Sequence, residues 1–239
     1  MTQSTTQAET CDTNNNSCCC SGSENSIEKD FKSHWDTAYD NSELDKLGWF
    51  EEIPGPSLKL LNKCELDKNA RILNVGAGTT TLINELLTRE FKNIIVNDIS
   101  SSALSMLKMS IKKADQKNVQ FILDDLTKPV ALNNLEAVDL WHDRAVLHFF
   151  QDQKEQNIYF NLLKKLVKLN GCVIIAVFNL NGAEKCSGLP VFRYDEKMLE
   201  EKLGADFALT HSFNHTYHMP SGAPREYVYT LFKRNEISK

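Results

Sequence analysis

From Ala70 to Arg234 the chain alternates short apolar runs with amphipathic stretches, and this alternation limits the architectures open to it. ARILNV, KNIIVND, VQFILD, AVDLWHD and GCVIIAVFNL read as strands. Between them, TTLINELLTREF, SSALSMLKMSIKKAD and EQNIYFNLLKKLVKL carry apolar residues at helical spacing. The second of these helices begins after a serine cap, and the third stops at Asn170-Gly171. DEKMLEEKLG adds a short helix, then FALTHSFNHTYHM and EYVYTLFKR add two strands on either side of a Pro-Ser-Gly turn. Alternating strands and helices with short connections make a mostly parallel sheet covered on both faces. The last two strands follow each other across a tight turn, so they should pair antiparallel at one edge. The expected class is α/β: a doubly wound seven-stranded sheet, mostly parallel with an antiparallel last strand, in three α/β/α layers.

A length of 239 residues suits one such domain with extensions. Residues 1–27 are polar and contain the cysteine-dense CDTNNNSCCCSGS, so they read as a disordered tail. Residues 28–66 should form a helical cap with a turn at Pro54-Gly55-Pro56, and 67–239 the core domain. The formal charge of −5, with Lys and Arg scattered, gives no reason to expect a nucleic-acid partner. No apolar run is long enough to span a bilayer. The opening MTQSTTQAET has no basic n-region and no apolar h-region, so a reducing cytoplasm is expected. Seven cysteines, three of them adjacent, make a poor disulfide framework.

The stretch ILNVGAGTTTLINELL brings backbone close to a ligand after the first strand. A triphosphate loop needs a Lys-Ser/Thr pair after its second glycine, and Thr79-Thr80-Thr81 stands there instead. A dinucleotide fingerprint wants a third glycine where Thr81 stands. The pattern therefore suits a ligand without a pyrophosphate. Asp98 ends the second strand about 20 residues further on, where a carboxylate can accept both hydroxyls of a ribose. Asp124-Asp125 ends the third strand, within reach of an adenine amino group. Acidic residues also cap loops at strand ends, but three at the carboxyl edge of successive strands coincide with the ligand crevice of such a sheet.

NVGAGTT, NDIS, ILDDL and VDLWHDRAV, in that order, resemble motifs I to IV of the class I S-adenosylmethionine-dependent methyltransferases. The resemblance covers about residues 28–234. HWDTAY…GWF, LWHDRAVLHF and KCSGLPVFRY are more narrowly similar to a group of bacterial methyltransferase-domain proteins. More distant likenesses are to the lysine methyltransferases of citrate synthase and elongation factor 1A, and to thiopurine methyltransferase. The family implies a Rossmann-like fold and S-adenosyl-L-methionine as cofactor. It implies cofactor contacts from Asn74, Gly76, Ala77, Gly78, Thr79 and Thr80, from Asp98 and Ile99, and from Asp124, Asp125 and Leu126. One departure is Asn74, where an acidic residue is usual in the motif.

Phe31, Trp35 and Tyr39 share one helix face at i, i+4, i+8. Such a stripe packs a core, and an aromatic face also attracts a sulfonium cation; the resemblance to the elongation-factor enzymes supports cofactor contact. Trp49 and Phe50 could close the same lid, with Trp49 on the substrate side. At the WHDRAVLHF corner, Asp143-Arg144 reads as a local ion pair or, by resemblance, with Arg144 bordering the cofactor. His142 is the candidate general base because its ordinary pKa lies near neutrality; His148 and Cys186 are candidates on the substrate side. His211, His215 and His218 lie on a strand without metal-ligand spacing, so no metal is expected. Methyl transfer to a small molecule is the leading reading, ahead of a protein lysine, a metalloid held by thiolates, or a non-catalytic cofactor binder. A small-molecule or protein acceptor is thus the expected partner. The oligomeric state is not legible; a monomer is compatible.

Overall fold

The computed structural model describes residues 30–236, so the cysteine-rich tail expected at 1–27 lies outside the described residues. Five strands run parallel: β1 (Arg71–Val75), β2 (Asn93–Asp98), β3 (Val119–Leu123), β4 (Val138–Arg144) and β5 (Val167–Phe178). A small separate hairpin follows, of β6 (Lys185–Cys186) and β7 (Leu189–Pro190), and then a long one of β8 (Phe207–His218) and β9 (Pro224–Arg234). The large sheet has the order β3-β2-β1-β4-β5-β9-β8. β9 is antiparallel to both of its neighbours. The last strand therefore lies inside the sheet and β8 takes the edge. Side-chain chemistry explains the order: Tyr227 to Phe232 are buried without a break, whereas β8 is mostly exposed or half-exposed, with only Phe207 and Tyr217 buried.

Among the described residues six α-helices flank the sheet: α1 (Phe31–Asp40), α2 (Gly55–Leu61), α3 (Leu82–Thr88), α4 (Ser101–Ser110), α5 (Gln153–Leu166) and α6 (Glu196–Leu203). Because strand side chains alternate, each strand feeds two cores. Ile72, Ile94, Leu140 and Ile174 pack with α2, α3 and α4 on one face. Leu73, Ile95, Trp141 and Ile175 pack with α5 and α6 on the other. The result is the expected three-layer, Rossmann-like architecture. Among the described residues no helix is long and apolar enough to cross a membrane.

Element ends differ from the periodicity. The helix expected to run to Asn170 stops at Leu166, and Val167-Lys168-Leu169 belongs to β5. The Arg234 guanidinium caps this helix from β9, donating to Lys164 O (2.7 Å) and to Val167 O. α4 begins behind Ser100 as expected, its Oγ accepting from Ala103 N at 3.0 Å. It ends five residues early at Ser110, where Ile111 turns extended and is buried.

Candidate active site

The carboxyl ends of β1 to β4 open into one cavity, roofed by α1 and by the segment Trp49–Glu51. Of the residues singled out in the sequence for binding or catalysis, all but His148 line it. The loop after β1 can take its path because of two glycines. Gly76 and Gly78 have φ of +52° and +53°, and a Cβ on them would lie 2.1 Å from Val146 Cγ2 and 2.3 Å from Tyr39 Oη. The loop closes on β2 through Ala77 N–H to Asn97 O (2.8 Å).

Asp98 faces the same loop, accepting from Gly78 N–H (2.7 Å) and Ser100 N–H (2.8 Å). Burial pushes its carboxyl up to about 6 against the pull of those N–H groups. Asp124 behaves as a loop cap: its oxygens accept from the N–H groups of Asp125, Val130 and Leu132. Asp125 Oδ1 accepts from the N–H and hydroxyl of Thr127, both at 2.8 Å. Both residues still border the cavity, but the Asp124 carboxylate is engaged by backbone.

α1 is docked by a residue that the sequence reading passed over. Asp36 Oδ1 accepts from Ser100 Oγ (2.7 Å) and Ser102 N (3.3 Å), at the start of α4, and Asp36 also pairs with Lys32. Burial works upward on its carboxyl, yet the Lys32 and Ser100 hydrogen bonds outweigh it and hold it at about 2. This docking sets the aromatic stripe over the cavity. Trp35 meets Trp49 and Phe149 edge-on at 5.4 and 5.1 Å, and Trp49 Nε1 donates to Tyr39 Oη at 3.2 Å.

The His-Asp-Arg corner divides three ways, because neighbours on a strand point to opposite faces. The His142 ring bridges Asn74 Oδ1 (3.0 Å) and Ser57 Oγ on α2 (2.9 Å), which occupies both nitrogens. Burial first, and then the Arg144 charge, push it down to about 3. A neutral ring with no free nitrogen does not fit the expected base; it supports Asn74 at the cavity floor instead. Asp143 is no ion-pair partner of Arg144, since its carboxylate accepts from Val146 N, Leu147 N and Tyr159 Oη.

Arg144 reaches across to residues far away in sequence. Nε faces Glu51 Oε2 (3.0 Å) and Tyr229 Oη (3.1 Å), and Nη1 donates to Trp49 O (3.1 Å). The guanidinium lies 5.0 and 5.2 Å from the ring centroids of Tyr217 and Tyr227. Nη2 is buried with no hydrogen-bond partner. Burial raises the Glu51 carboxyl, and the Arg144 charge pulls it back.

His148 departs from the expected substrate side. It is fully buried away from the cavity, between Phe149 and Phe178, with Nδ1 accepting from Phe178 N. Cys186 does line the cavity, but burial raises its thiol to about 11, with Arg225 and Arg144 pulling against it. It is therefore a thiol at neutral pH, which weakens the thiolate reading. Sequence reasoning also missed Glu51 and Ser57, whose partners lie 93 and 85 residues away.

A doubly wound α/β sheet with its crevice at the carboxyl edge is the class this geometry defines. A methyltransferase-domain family model matches residues 66–231. The chain belongs to that family and is a class I S-adenosylmethionine-dependent methyltransferase. Among curated proteins it is similar to EEF1A lysine methyltransferase 2 of Mus musculus, 24% identical over 171 residues, covering 64% of this chain and 67% of that protein. The Danio rerio counterpart is also 24% identical, over 62% and 68% of the two chains. Among solved structures, a SAM-dependent methyltransferase from Anabaena variabilis superposes with a TM-score of 0.68 at 14% identity, covering 85% and 93% of the chains. The 1,6-didemethyltoxoflavin-N1-methyltransferase of Burkholderia thailandensis, with bound 1,6-didemethyltoxoflavin and S-adenosylhomocysteine, gives 0.60 at 18% identity, over 77% and 78%. These likenesses show the shared fold.

Proposed function

We propose that the cavity holds S-adenosylmethionine along the β1–β3 edge and methylates a small molecule at the Arg144 end. The fit to the cofactor rests on three features. The glycine cradle leaves no room for a Cβ and carries no phosphate-binding lysine. The buried Asp98 carboxylate stands where ribose hydroxyls would donate. Trp35, Tyr39 and Trp49 present rings to a cationic centre. When bound, the cofactor supplies a methyl group on a sulfonium, already a good leaving group. The chain's own residues then bind, align and exclude water, and alignment can supply about 7–11 kcal/mol in favourable cases. Asn74 takes the amino-acid end, with its amide set by His142.

The observation that carries the small-molecule reading is the closed acceptor end. The Arg144 to Trp49 and Glu51 contacts, Thr81 Oγ1 to Glu51 O (3.0 Å) and Tyr217 Oη to Phe50 O hold residues 49–51 across it. Arg144 Nη2 is left as a donor for an acceptor oxygen. A protein lysine is the second reading, favoured by the similarity to the EEF1A lysine methyltransferases. Methyl-labelled cofactor, incubated with a small-molecule panel and separately with a cell lysate, tests the two. Label in small molecules is expected; label confined to a protein band overturns the first reading in favour of the second.

A further inference from the structure

A neutral O–H or N–H acceptor sheds a proton as it is methylated, and His142 has no free nitrogen to take it. The other titratable residues of the cavity narrow to one. Asp98, Asp124 and Asp125 stand at the ends of β2 and β3, on the cofactor side. The Tyr39 hydroxyl accepts from Trp49 Nε1, and burial, then the Asp98 charge, raise it well above its ordinary value. Cys186 keeps its proton up to about 11. Arg144 is a permanent cation. Glu51 remains.

Glu51 ends the segment that roofs the Arg144 end, and its side chain is only 10% exposed. Arg144 Nε holds one carboxylate oxygen, Oε2, at 3.0 Å. The other, Oε1, has no hydrogen-bond partner among the described residues. The backbone beside it is fixed, because Thr81 Oγ1 donates to Glu51 O (3.0 Å) and Arg144 Nη1 to Trp49 O (3.1 Å). Besides Arg144 on β4, the titratable groups that feel its charge are Tyr217 on β8 and Tyr227 and Tyr229 on β9. Burial raises all three phenols, so they stay neutral. Burial also raises the Glu51 carboxyl above its ordinary 4.5, although the Arg144 charge works the other way. Proton affinity is thus gained at the end of the cavity where the acceptor gives a proton up.

We propose that Glu51 is the general base of methyl transfer and that the acceptor is a phenol or a ring N–H compound. The assignment rests on the reading of this cavity as the site of S-adenosylmethionine and a small acceptor. As the acceptor oxygen or nitrogen bonds to the methyl carbon, the methyl–sulfur bond breaks and its electron pair stays on sulfur. The acceptor O–H or N–H turns strongly acidic as that bond forms, and its proton passes to Glu51 Oε1. The positive charge that began on sulfur ends as this proton, which Glu51 returns to water after the product leaves. Arg144 already neutralises the Glu51 charge, so nothing at this end offsets an acceptor ammonium. That favours acceptors that are neutral until they react. Trp49, Phe50 and Phe149 line the cavity with rings, which suits a flat acceptor.

The test compares the full chain with Glu51→Gln, which keeps an oxygen for Arg144 Nε but cannot take a proton. Affinity for S-adenosylmethionine, by isothermal titration, should stay within about threefold of the parent. Carbon-13 spectra of carboxyl-labelled glutamate, with the Glu51 signal identified by its loss in the variant, should show it titrating above 4.5. With saturating methyl-labelled cofactor and a panel of phenols and ring N–H heterocycles, turnover should fall roughly 100-fold or more in the variant. The parent's turnover should rise with pH as Glu51 ionises, and the variant should lack that rise. Variant turnover close to the parent's, a loss confined to cofactor affinity, or a Glu51 signal titrating below 4.5 overturns the proposal. A parent that binds no S-adenosylmethionine sinks the cavity reading beneath it. Label confined to a lysate protein sinks the acceptor class alone, and the Glu51→Gln rate on that protein then decides the base.

Discussion

At the scale of single residues, Asp98 and His142 carry opposite expectations for pH. In the cofactor-free protein the Asp98 carboxyl is raised from 3.8 to about 6, so ionising it lowers stability as pH rises through that window. Ribose hydroxyls donate to the ionised form. Cofactor affinity should therefore rise with pH up to about 6 and then level off. Asp98→Ala should weaken binding by roughly a hundredfold or more, since two charge-assisted hydrogen bonds of about 1.5–3 kcal/mol each are lost. Isothermal titration across pH measures both effects. Because Asp143 is also raised to about 6, Asp98→Asn is the control: it should flatten the pH dependence, and a persisting inflection would move the effect elsewhere. His142 is already neutral at pH 7, so its titration should leave no mark on turnover near 6.5. His142→Gln should keep turnover within about tenfold, whereas loss of a true general base costs about 10²–10⁴-fold.

At the scale of elements, the docking of α1 is the joint on which the site depends. Its aromatic face is legible from spacing alone, but the Asp36 hydrogen bonds that tie the helix to the start of α4 are not. Asp36→Ala should cost about 1–2 kcal/mol through the lost hydrogen bonds to Ser100 and Ser102. It should also weaken cofactor binding while the core melts as one unit. Hydrogen exchange should show faster opening confined to α1 and residues 41–50; unchanged exchange there would show that the aromatic packing alone holds the helix. The stabilisation from Asp36 is complete above the ordinary carboxyl value of 3.8 and is lost as pH falls through about 2. Acid should therefore release α1 only at that extreme.

At the scale of the whole molecule, β9 joins the two layers of the core. Tyr227, Tyr229 and Leu231 enter one face, Val228 and Phe232 the other, and none is more than 2% exposed. Each such side chain is worth about 2–5 kcal/mol, against a total stability of about 5–15 kcal/mol. A chain ending at Ala223 should therefore show no cooperative thermal transition by circular dichroism. A retained sharp melt would mean that β5 and β8 can close the sheet without it.

Local pattern determined a good part of this protein. Strand and helix alternation, the serine cap at Ser100, the glycine loop and the position of Asp98 are all written within a few residues of themselves, because periodicity and backbone freedom act at short range. The run EYVYTLFKR reads as a last strand pairing antiparallel at one edge. Which neighbours would bury it was decided only by the packed sheet, which put β9 between β5 and β8. Residue chemistry followed the same division. His142 had the side chain of a base, and burial between Asn74 and Ser57 took that role from it. Asp124 and Asp125 looked alike in sequence, yet a loop closed around the first. Arg144 found Glu51, Trp49 and Tyr229 from distant parts of the chain. Proton affinity and hydrogen-bond supply depend on what is buried beside a group, and neighbours brought together by folding leave no trace in local spacing.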